Sequence, residues 1–566
     1  MRYGQTSMKQ IWLPTYPAGT PSEVDVGAYR SIVALFEMSA VKFGPRAAFV
    51  NMGTAISYSE MERLTRCFAA YLQGVLKAPR GARVALMMPN VLQYPVALLG
   101  ALRAGCAVVN CNPLYTPREL KRQLQDSGAE VVVVMENFAS VVEQAVAATS
   151  VERVVVTGLG DMLAFPKSLF VNFVVKHVKK LVPAWRLPQA ISFKTALRLG
   201  AKAPFERVDV GPDELAFLQY TGGTTGVPKG AMLTHGNIVA NVEQGYAWVR
   251  PVIEEGREVI ITALPLYHIF ALTANCLTFL KVGATNVLIT NPRDIKGLVK
   301  ELAHCRFSVI TGVNTLFKAL LNNPDFAALD FSPLRLSVGG GMAVQKAVAE
   351  QWKQTTGKAL IEAYGLSEAS PGVTMNPLDL ADYNGSIGLP IPSTEIAIRD
   401  DDGRDLPVGE VGELCVRGPQ VMKGYWKNPA ETAKVMMADG FLRTGDLAII
   451  DEAGFARIVD RKKDIIIVSG FNVYPLEVEE VVAMCPGVLE AAVFGVVDAE
   501  SGHAVKVAVV RKDPALTAQD LIAHCRKHLT GYKVPRHVEF RDELPKSPIG
   551  KILRRALVGK VGEATN

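Results

Sequence analysis

The sequence LAFLQYTGGTTGVPKG, residues 215–230, contains the clearest functional signature in the chain. An apolar run typical of a buried strand leads directly into a loop of glycine, threonine and lysine. The glycines allow tight turns that point backbone N–H groups inward, while the hydroxyls and Lys229 add donors and a positive charge. This composition predicts a cradle for a polyphosphate. The loop is neither a GxGxxG sequence nor a Walker A sequence, because Gly230 stands where Ser or Thr would bind magnesium.

Short apolar runs alternate with amphipathic helical patterns around this loop, from about residue 45 to residue 345. The patterns predict strands at 130–135, 258–263, 285–290 and 307–311, and helices at 118–125, 269–280, 294–304 and 316–321. Such alternation is typical of parallel sheets that are covered by helices. We therefore expect an α/β fold.

The pattern changes twice toward the C-terminus. Residues 385–460 contain short strand-like runs between Gly-rich turns, which predicts a small, mainly antiparallel β unit. From residue 461 onward the patterns predict a compact α+β unit, with helices at 476–484 and 517–529 and strands at 490–497, 504–511 and 537–540. We expect a large N-terminal domain over 1–460 and a smaller, mobile C-terminal domain over 461–566. The charged join DRKKD, residues 460–464, is short enough to be a hinge.

The composition excludes several classes of protein. The chain has 566 residues, of which 49% are hydrophobic and 20% charged, as in packed multidomain enzymes and unlike disordered chains. Its net charge of +6 is too small for a dedicated nucleic-acid binder. The eight cysteines form no CxxC pair, which argues against a zinc framework and indicates a reducing compartment. No secretory signal is recognisable, and Pro265, His268 and Asn275 interrupt the charge-free stretch 259–280, so no membrane span is expected.

One segment differs from the rest of the chain in charge. Residues 162–205 contain no acidic residue but eight basic ones, with Phe165, Phe170, Phe173 and Trp185 between them. Part of this segment, SLFVNFVVKHVKKLVP at 168–183, predicts a helix with a basic face. Two interpretations stay open, an interfacial helix on anionic lipid and a surface helix whose basic face is solvated. On the first interpretation, the protein would be cytoplasmic and peripherally associated with the inner membrane.

Further motifs follow the glycine-rich loop in a definite order. They are EAYGLSE (362–368), TGD (444–446), DRKKD (460–464), GFNVYPLEVE (470–479) and PKSPIGK (545–551). In this order and spacing, the set closely resembles the adenylate-forming superfamily of acyl- and aryl-CoA synthetases, peptide-synthetase adenylation domains and luciferases. The resemblance covers essentially the whole chain. Longer stretches such as ELCVRGPQVMKGYW (413–426) and VDRKKDIIIVSGFNVYP (459–475) are most similar to bacterial long-chain fatty-acyl-CoA synthetases.

The resemblance implies a two-step ligase that uses ATP, Mg²⁺ and coenzyme A. A carboxylate first reacts with ATP to form an acyl-AMP and pyrophosphate, and the acyl group then passes to the thiol of coenzyme A. Magnesium would bind at Glu368 and Thr225. The phosphates would lie against Thr221, Gly222, Gly223, Thr224, Thr225, Gly226 and Lys229. The rest of the nucleotide site would comprise Gly339, Gly340, Gly341, Tyr364, Gly365, Ser367, Asp446 and Arg461.

The resemblance also assigns residues to catalysis and to domain motion. Lys551 would bridge the carboxylate and the α-phosphate, where two anions meet and a cation stabilises the developing charge. His268 would orient the carboxylate, although a packed core histidine is the alternative. Lys463 would be the hinge about which the C-terminal domain rotates, after which Gly470 would approach coenzyme A. The catalytic set is thus Lys551, Glu368, Thr225 and His268.

The sequence leaves the substrate partly open. The leading hypothesis is ligation of a long-chain fatty acid to coenzyme A, and the alternative is a ligase for a medium-chain or aryl acid. A non-catalytic scaffold is disfavoured, because the motif residues are retained together. No insertion typical of fatty-acyl-AMP ligases is visible. By the resemblance, Trp248 is a candidate gate of the acyl tunnel. No nucleic-acid partner is expected. A homodimer is one option for the oligomeric state.

Overall fold

Two large, mostly parallel sheets form the body of the molecule. The computed structural model describes residues 10–221, 228–498, 501–547 and 550–558. One sheet contains, in spatial order, the strands Leu389–Pro390, Gly372–Met375, Leu360–Gly365, Leu336–Gly339, Val309–Gly312, Val259–Thr262, Thr285–Leu288, Ala47–Asn51 and Thr54–Ser57. The other contains Ile191–Ser192, Arg153–Thr157, Val131–Met135, Arg83–Met87, Ala107–Asn110, Leu215–Thr221 and Lys229–Thr234. Antiparallel pairs occur toward the edges of both sheets. The predicted α/β class is confirmed.

Helices follow most of these strands, as the alternating pattern predicted. The α-helices are Ile32–Phe43, Tyr58–Ala70, Gln93–Arg103, Pro117–Ser127, Ala139–Ala145, Lys167–Phe173, Phe193–Gly200, His235–Val249, Thr278–Val282, Ile295–Ala303, Asn314–Leu321, Pro324–Ala327, Lys346–Thr356, Pro429–Val435, Pro475–Ala483 and Ala518–His528. Three π-helical segments, Tyr71–Val75, Val174–Val178 and Ala271–Leu277, adjoin α-helices. The charge-free stretch 259–280 is therefore a strand, a loop and a helix, and no helix among the described residues is long and apolar enough to cross a membrane.

One continuous core joins the two large sheets. The strand Val131–Met135 is buried along its whole length, as expected for a parallel strand covered on both faces. One buried hydrophobic cluster contains residues of this strand together with Leu86 of the same sheet and with Phe49 and Ile310 of the nine-stranded sheet. The two sheets are consequently packed as one body.

Two smaller sheets complete the fold. An antiparallel sheet contains Glu395–Arg399, Gly412–Arg417, Leu442–Ile450 and Ala456–Arg461. The last sheet contains Phe471–Val473, Ile466–Val468, Gly502–Arg511, Val488–Asp498 and His537–Arg541, and it has its own core of valine and leucine side chains. The strand Leu389–Pro390, within the predicted β unit, pairs instead with Gly372–Met375. The boundary predicted near 460–463 lies where the chain passes between these sheets, and the mobility of the C-terminal part stays a prediction.

Candidate functional site

A large cavity of about 2140 Å³ lies between the N-terminal body and the C-terminal sheet. It brings together most of the residues that the motifs singled out. Those lining it are Thr221, Lys229, His268, Gly340, Gly341, Tyr364, Gly365, Ser367, Glu368, Asp446, Arg461, Lys463 and Lys551. The loop residues Gly222, Gly223, Thr224, Thr225 and Gly226 lie outside the described residues. Motifs separated by hundreds of residues thus meet around one space.

The glycine-rich loop is held at both ends by an antiparallel pair of strands, in which Thr221 is opposite Lys229. The ammonium of Lys229 forms an ion pair with Glu431 and lies 5.2 Å from the centre of the Tyr425 ring. Hydrogen bonds from Lys229 and then Lys434 lower the pKa of Glu431 to about 2. Lys229 is therefore held by a fixed counter-charge at the edge of the cavity, and no motif in the sequence had pointed to Glu431.

Glu368 lies in a short 3₁₀ turn, Ser367–Ala369, directly after the strand Leu360–Gly365. Its carboxylate Oε1 accepts a hydrogen bond of 2.9 Å from the Tyr425 hydroxyl, and its backbone carbonyl accepts one of 2.7 Å from the N–H of Met422. Tyr425 belongs to the stretch ELCVRGPQVMKGYW that carried the family resemblance, but sequence reasoning gave it no role. These bonds fix the glutamate on the cavity wall.

The described residues contain no group of three or more His, Cys, Asp and Glu side chains that would hold a metal by themselves. A single carboxylate, Glu368, on the same cavity as Thr221 and Lys229 is nevertheless a fitting donor set for magnesium. Mg²⁺ usually keeps several waters and binds one or two carboxylates together with substrate phosphates. The residues present thus fit a magnesium ion that arrives with a nucleotide.

Asp446 and Arg461 face each other across two antiparallel strands, Leu442–Ile450 and Ala456–Arg461. The guanidinium Nε of Arg461 lies 2.9 Å from Oδ1 of Asp446, and the hydroxyl of Tyr364 donates to Oδ2 at 2.6 Å. The carboxylate raises the pKa of Arg461, while burial, followed by the charge of Asp446, raises the pKa of Tyr364 well above its ordinary value. Asp446 is therefore a buried, oriented acceptor.

Lys551 reaches the same cavity from the C-terminal end of the chain. Its backbone N–H donates to the Ser547 hydroxyl at 3.1 Å, and its carbonyl accepts from the N–H of Ser547 at 2.7 Å. Burial, and then the positive charge of Arg461, lowers the pKa of Lys551 to about 8. The lysine is thus a desolvated cation that lies near other cations, and a bound anion would raise its pKa again.

Arg554 anchors the segment that carries Lys551. Its guanidinium bonds both oxygens of Glu479, at 3.0 and 2.7 Å, and lies 3.2 Å from Asp464 and 3.5 Å from the fully buried Asp460. Burial raises the pKa of Asp460 to about 6, against the opposing effect of Arg554. A bidentate arginine pair fixes both distance and orientation. Sequence reasoning missed this network, because Arg554 follows the last motif and its partners lie up to 94 residues earlier.

His268 lies on the cavity wall, and its Nδ1 accepts a hydrogen bond of 3.3 Å from the N–H of Phe270. Burial, and then the charge of Lys551, lowers the pKa of His268 to about 4. The ring is neutral at pH 7, and with Nδ1 accepting, its proton is on Nε2. It can donate a hydrogen bond but supplies no positive charge.

Some predicted residues do not line the cavity. Gly339 is buried beneath it, where an added Cβ would approach Val344 to 2.6 Å. Gly470 lies in an exposed turn between two strands, with a φ of +84°. Trp248 is buried, and its indole N–H donates to the carbonyl of Asn376 at 3.1 Å. In this conformation Trp248 packs in the core, since its neighbour Val249 and not the indole contributes to the wall.

Glu362 is a cavity residue to which the sequence analysis gave no separate role. It begins the EAYGLSE motif, is buried, and accepts a hydrogen bond of 3.1 Å from the N–H of Val344. Burial raises the pKa of Glu362 to about 8. Glu362 is consequently protonated at neutral pH and adds no negative charge to a site for an anionic nucleotide.

The fold and the site together define the class of protein. Residues 36–426 match the family of AMP-binding enzymes, and residues 477–551 match the C-terminal domain of the same enzymes. The chain belongs to this family. It is 59% identical to a long-chain-fatty-acid–CoA ligase of Yersinia pestis and 58% identical to one of Escherichia coli O6:H1, in each case over 97% of this chain and 98% of the relative. Among solved structures, a benzoate CoA ligase from Burkholderia xenovorans LB400 is 26% identical, with a TM-score of 0.80 over 94% of this chain and 100% of that chain.

The charge state of Lys551 is directly measurable. Competitive acetylation of the amines, read by mass spectrometry across a pH series, is expected to give Lys551 an apparent pKa of about 8, against about 10.4 for an ordinary lysine. The Arg461→Gln variant removes a neighbouring cation and frees Asp446, so the pKa of Lys551 is expected to rise. A pKa near 10 in the unsubstituted protein would contradict this description of the site.

Proposed function

We propose that this protein ligates a long-chain fatty acid to coenzyme A through an acyl-AMP intermediate, with release of AMP and pyrophosphate. The observation that carries the proposal is one cavity in which Lys229, Arg461 and Lys551 lie together with Glu368 and Asp446. Three cations on the wall of one cavity suit an anionic nucleotide, and a buried aspartate suits its ribose. The full-length similarity to long-chain-fatty-acid–CoA ligases supports the acyl substrate.

In the first half-reaction, a carboxylate oxygen attacks the α-phosphorus of ATP, and the bond from that phosphorus to the pyrophosphate oxygen breaks. Lys551 lies between these two anionic partners and stabilises the negative charge as it develops. The neutral His268 donates a hydrogen bond from Nε2 and orients the carboxylate. The glycine-rich loop and Lys229 would hold the outgoing phosphates, because Thr221 and Lys229, which flank the loop, both line the cavity.

Asp446 accepts hydrogen bonds from the two ribose hydroxyls, and Arg461 holds that carboxylate in position. The adenine would lie against the backbone of Gly340 and Gly341, where the absence of side chains allows a close approach. Tyr364, Gly365 and Ser367 would complete this part of the nucleotide site. Magnesium would be bound by Glu368 and Thr225 with the phosphates, and it would neutralise charge on the pyrophosphate that departs.

In the second half-reaction, the sulfur of coenzyme A attacks the acyl carbon, the thiol proton passes to solvent, and the bond to AMP breaks. We place the hinge at Lys463, which lies on the cavity rim after the strand Ala456–Arg461. Rotation there would carry Lys551 out and bring the exposed turn at Gly470 toward coenzyme A. This alternation lets one site perform both steps.

An apolar part of the cavity wall supports a long acyl chain. Val249, Phe279, Val309 and Leu336 are buried and line the cavity. Each methylene that enters such a wall contributes roughly 0.8 kcal/mol of binding free energy. Long-chain acids therefore gain more binding free energy than medium-chain acids. Medium-chain and aryl acids are the alternative substrates.

A panel of acids from acetate to oleate tests the substrate class. With ATP, Mg²⁺ and coenzyme A, palmitate and oleate are expected to give thioester and AMP in equal amounts and with the highest kcat/KM. A maximum at octanoate or benzoate would establish the alternative. Acyl-AMP without thioester would make the protein an AMP ligase, and no AMP with any acid would reject catalysis.

The two half-reactions separate the role of Lys551. Lys551→Ala is expected to lower acyl-AMP formation by about 10²–10³-fold, because the charge between carboxylate and α-phosphate is lost. Thioester formation from supplied acyl-AMP and coenzyme A is expected to persist. The exposed Lys527→Ala serves as the matched control in the same part of the chain. Equal loss of both steps in Lys551→Ala would contradict the alternation.

We also propose peripheral contact with an anionic membrane through a lipid-facing segment, residues 165–181. Its inner face is buried at Ser168, Val171 and Val175. Its outer face exposes large apolar side chains next to basic ones, which a solvated basic face does not explain. The exposed apolar residues are Phe165, Leu169, Phe170, Phe173, Val178 and Leu181, and the exposed lysines are Lys167, Lys176, Lys179 and Lys180. An anionic bilayer would cover both.

Sedimentation with phosphatidylglycerol-containing vesicles tests this segment. The triple changes Lys176→Gln, Lys179→Gln, Lys180→Gln and, separately, Phe165→Ser, Phe170→Ser, Phe173→Ser are each expected to weaken binding. The control changes are Lys296→Gln with Lys300→Gln, which are exposed on another helix, and Val41→Ser. Unchanged vesicle binding in both triple variants would return the segment to a solvated surface helix.

The homodimer stays a prediction.

A further inference from the structure

One residue on the inner side of the helix His235–Val249 is more exposed than its neighbours. Gly245 is partly exposed, whereas Gln244 and Trp248 beside it are fully buried. Gly245 also lines the cavity. With about 3.6 residues per helical turn, Ala247 lies on the opposite side of the helix, outside the cavity wall. The accessible surface of Gly245 is therefore surface of the cavity, and a side chain at this position would enter that space.

Gly245 lies midway along the side of this helix that faces the cavity. Asn241, Gly245 and Val249 follow one another at intervals of four residues and all line the cavity, so they share one face of the helix. At a rise of about 1.5 Å per residue, Gly245 is roughly 6 Å along the axis from each of the other two. It thus separates the two ends of this part of the wall.

The two ends of this helix face adjoin different parts of the cavity. The side-chain amide of Asn241 donates to the carbonyl of Gly372 and accepts from its N–H, both at 3.0 Å. Gly372 in turn pairs with Gly365, a residue of the proposed nucleotide site. Val249 belongs instead to the buried cluster that contains the apolar wall described above. An acyl chain that runs from the nucleotide end of the cavity to the apolar wall therefore passes Gly245.

Neither the backbone nor a close neighbour requires glycine at this position. The residue lies within a regular α-helix, where glycine is a poor choice because of the conformational entropy that it loses. A Cβ at residue 245 would lie 3.7 Å from the hydroxyl of Thr278, which is an ordinary van der Waals contact. What the missing side chain leaves free is space in the cavity.

We propose that Gly245 determines the length of acyl chain that the protein accepts, because a long chain passes over its bare backbone to reach the apolar wall. This inference rests on the proposed ligase function. An apolar side chain at residue 245 would fill the passage and exclude the part of the acyl chain that lies beyond it. Each methylene that loses its apolar surroundings lowers the affinity by about fourfold.

The test measures kcat/KM for thioester formation with unbranched acids from butyrate to stearate in Gly245→Ala, Gly245→Leu and Gly245→Phe. Acids too short to reach residue 245 are expected to keep the kcat/KM of the wild type. For longer acids, kcat/KM is expected to fall progressively with the size of the new side chain. In Gly245→Phe the fall for palmitate is expected to be about 10²-fold, which corresponds to the exclusion of about three methylenes. The length at which variant and wild type diverge locates residue 245 along the chain.

Ala247→Leu is the matched control, because it adds bulk to the opposite side of the same helix. It is expected to leave the dependence of kcat/KM on chain length unchanged. An equal fall for short and long acids in Gly245→Leu and Gly245→Phe, or no fall for palmitate in either, would overturn the proposal. Should Gly245→Phe fail to fold, Gly245→Leu and the smaller Gly245→Ala give the same comparison. Failure of the wild type on every long-chain acid would instead reject the proposed function itself.

Discussion

The ion pair between Asp446 and Arg461 is the interaction on which the site depends. It forms across the last two strands of the antiparallel sheet, immediately before the chain enters the C-terminal part. Tyr364, from the nine-stranded sheet, adds a hydrogen bond to the same carboxylate, so three strands of two sheets meet at one side chain. Because the carboxylate is buried, each partner is needed to compensate its lost hydration. The same arginine also lies close enough to Lys551 to depress that lysine's pKa. This one ion pair thereby connects the cavity wall at Asp446 to Lys551, the proposed catalytic cation.

Local patterns were sufficient for most of the secondary structure. The strand at Val131–Met135 and the helix at Pro117–Ser127 follow from an uninterrupted apolar run and from an amphipathic repeat with a capping box. The division into α/β, antiparallel β and α+β patterns likewise shows in the spacing of turns. The pairing of Leu389–Pro390 with Gly372–Met375 could not be predicted in this way, because the partner of a two-residue strand is set by tertiary packing and not by its own sequence.

The site was predictable only as far as motifs reach. Glu368, Asp446, Arg461 and Lys551 were recognisable from short stretches that resemble a family, and they do line one cavity. Their supporting residues were not. Glu431 is 202 residues from Lys229, and Tyr425 is 57 residues from Glu368. Such partners carry no local signature, since their identity depends on which chain segments the fold brings together.

The network around Arg554 holds the segment of Lys551, the proposed catalytic cation, against the rest of the C-terminal part. Arg554 ties the last described turn of the chain to Glu479 on a helix and to Asp464, next to the proposed hinge at Lys463. Lys551 lies three residues earlier, so the withdrawal proposed for it would require the whole C-terminal unit to move and not the segment of Lys551 alone. The segment 550–558 would consequently move together with the helix that carries Glu479. In the proposed alternation, the ion pairs of Arg554 on the cavity wall would then set the timing between the two half-reactions.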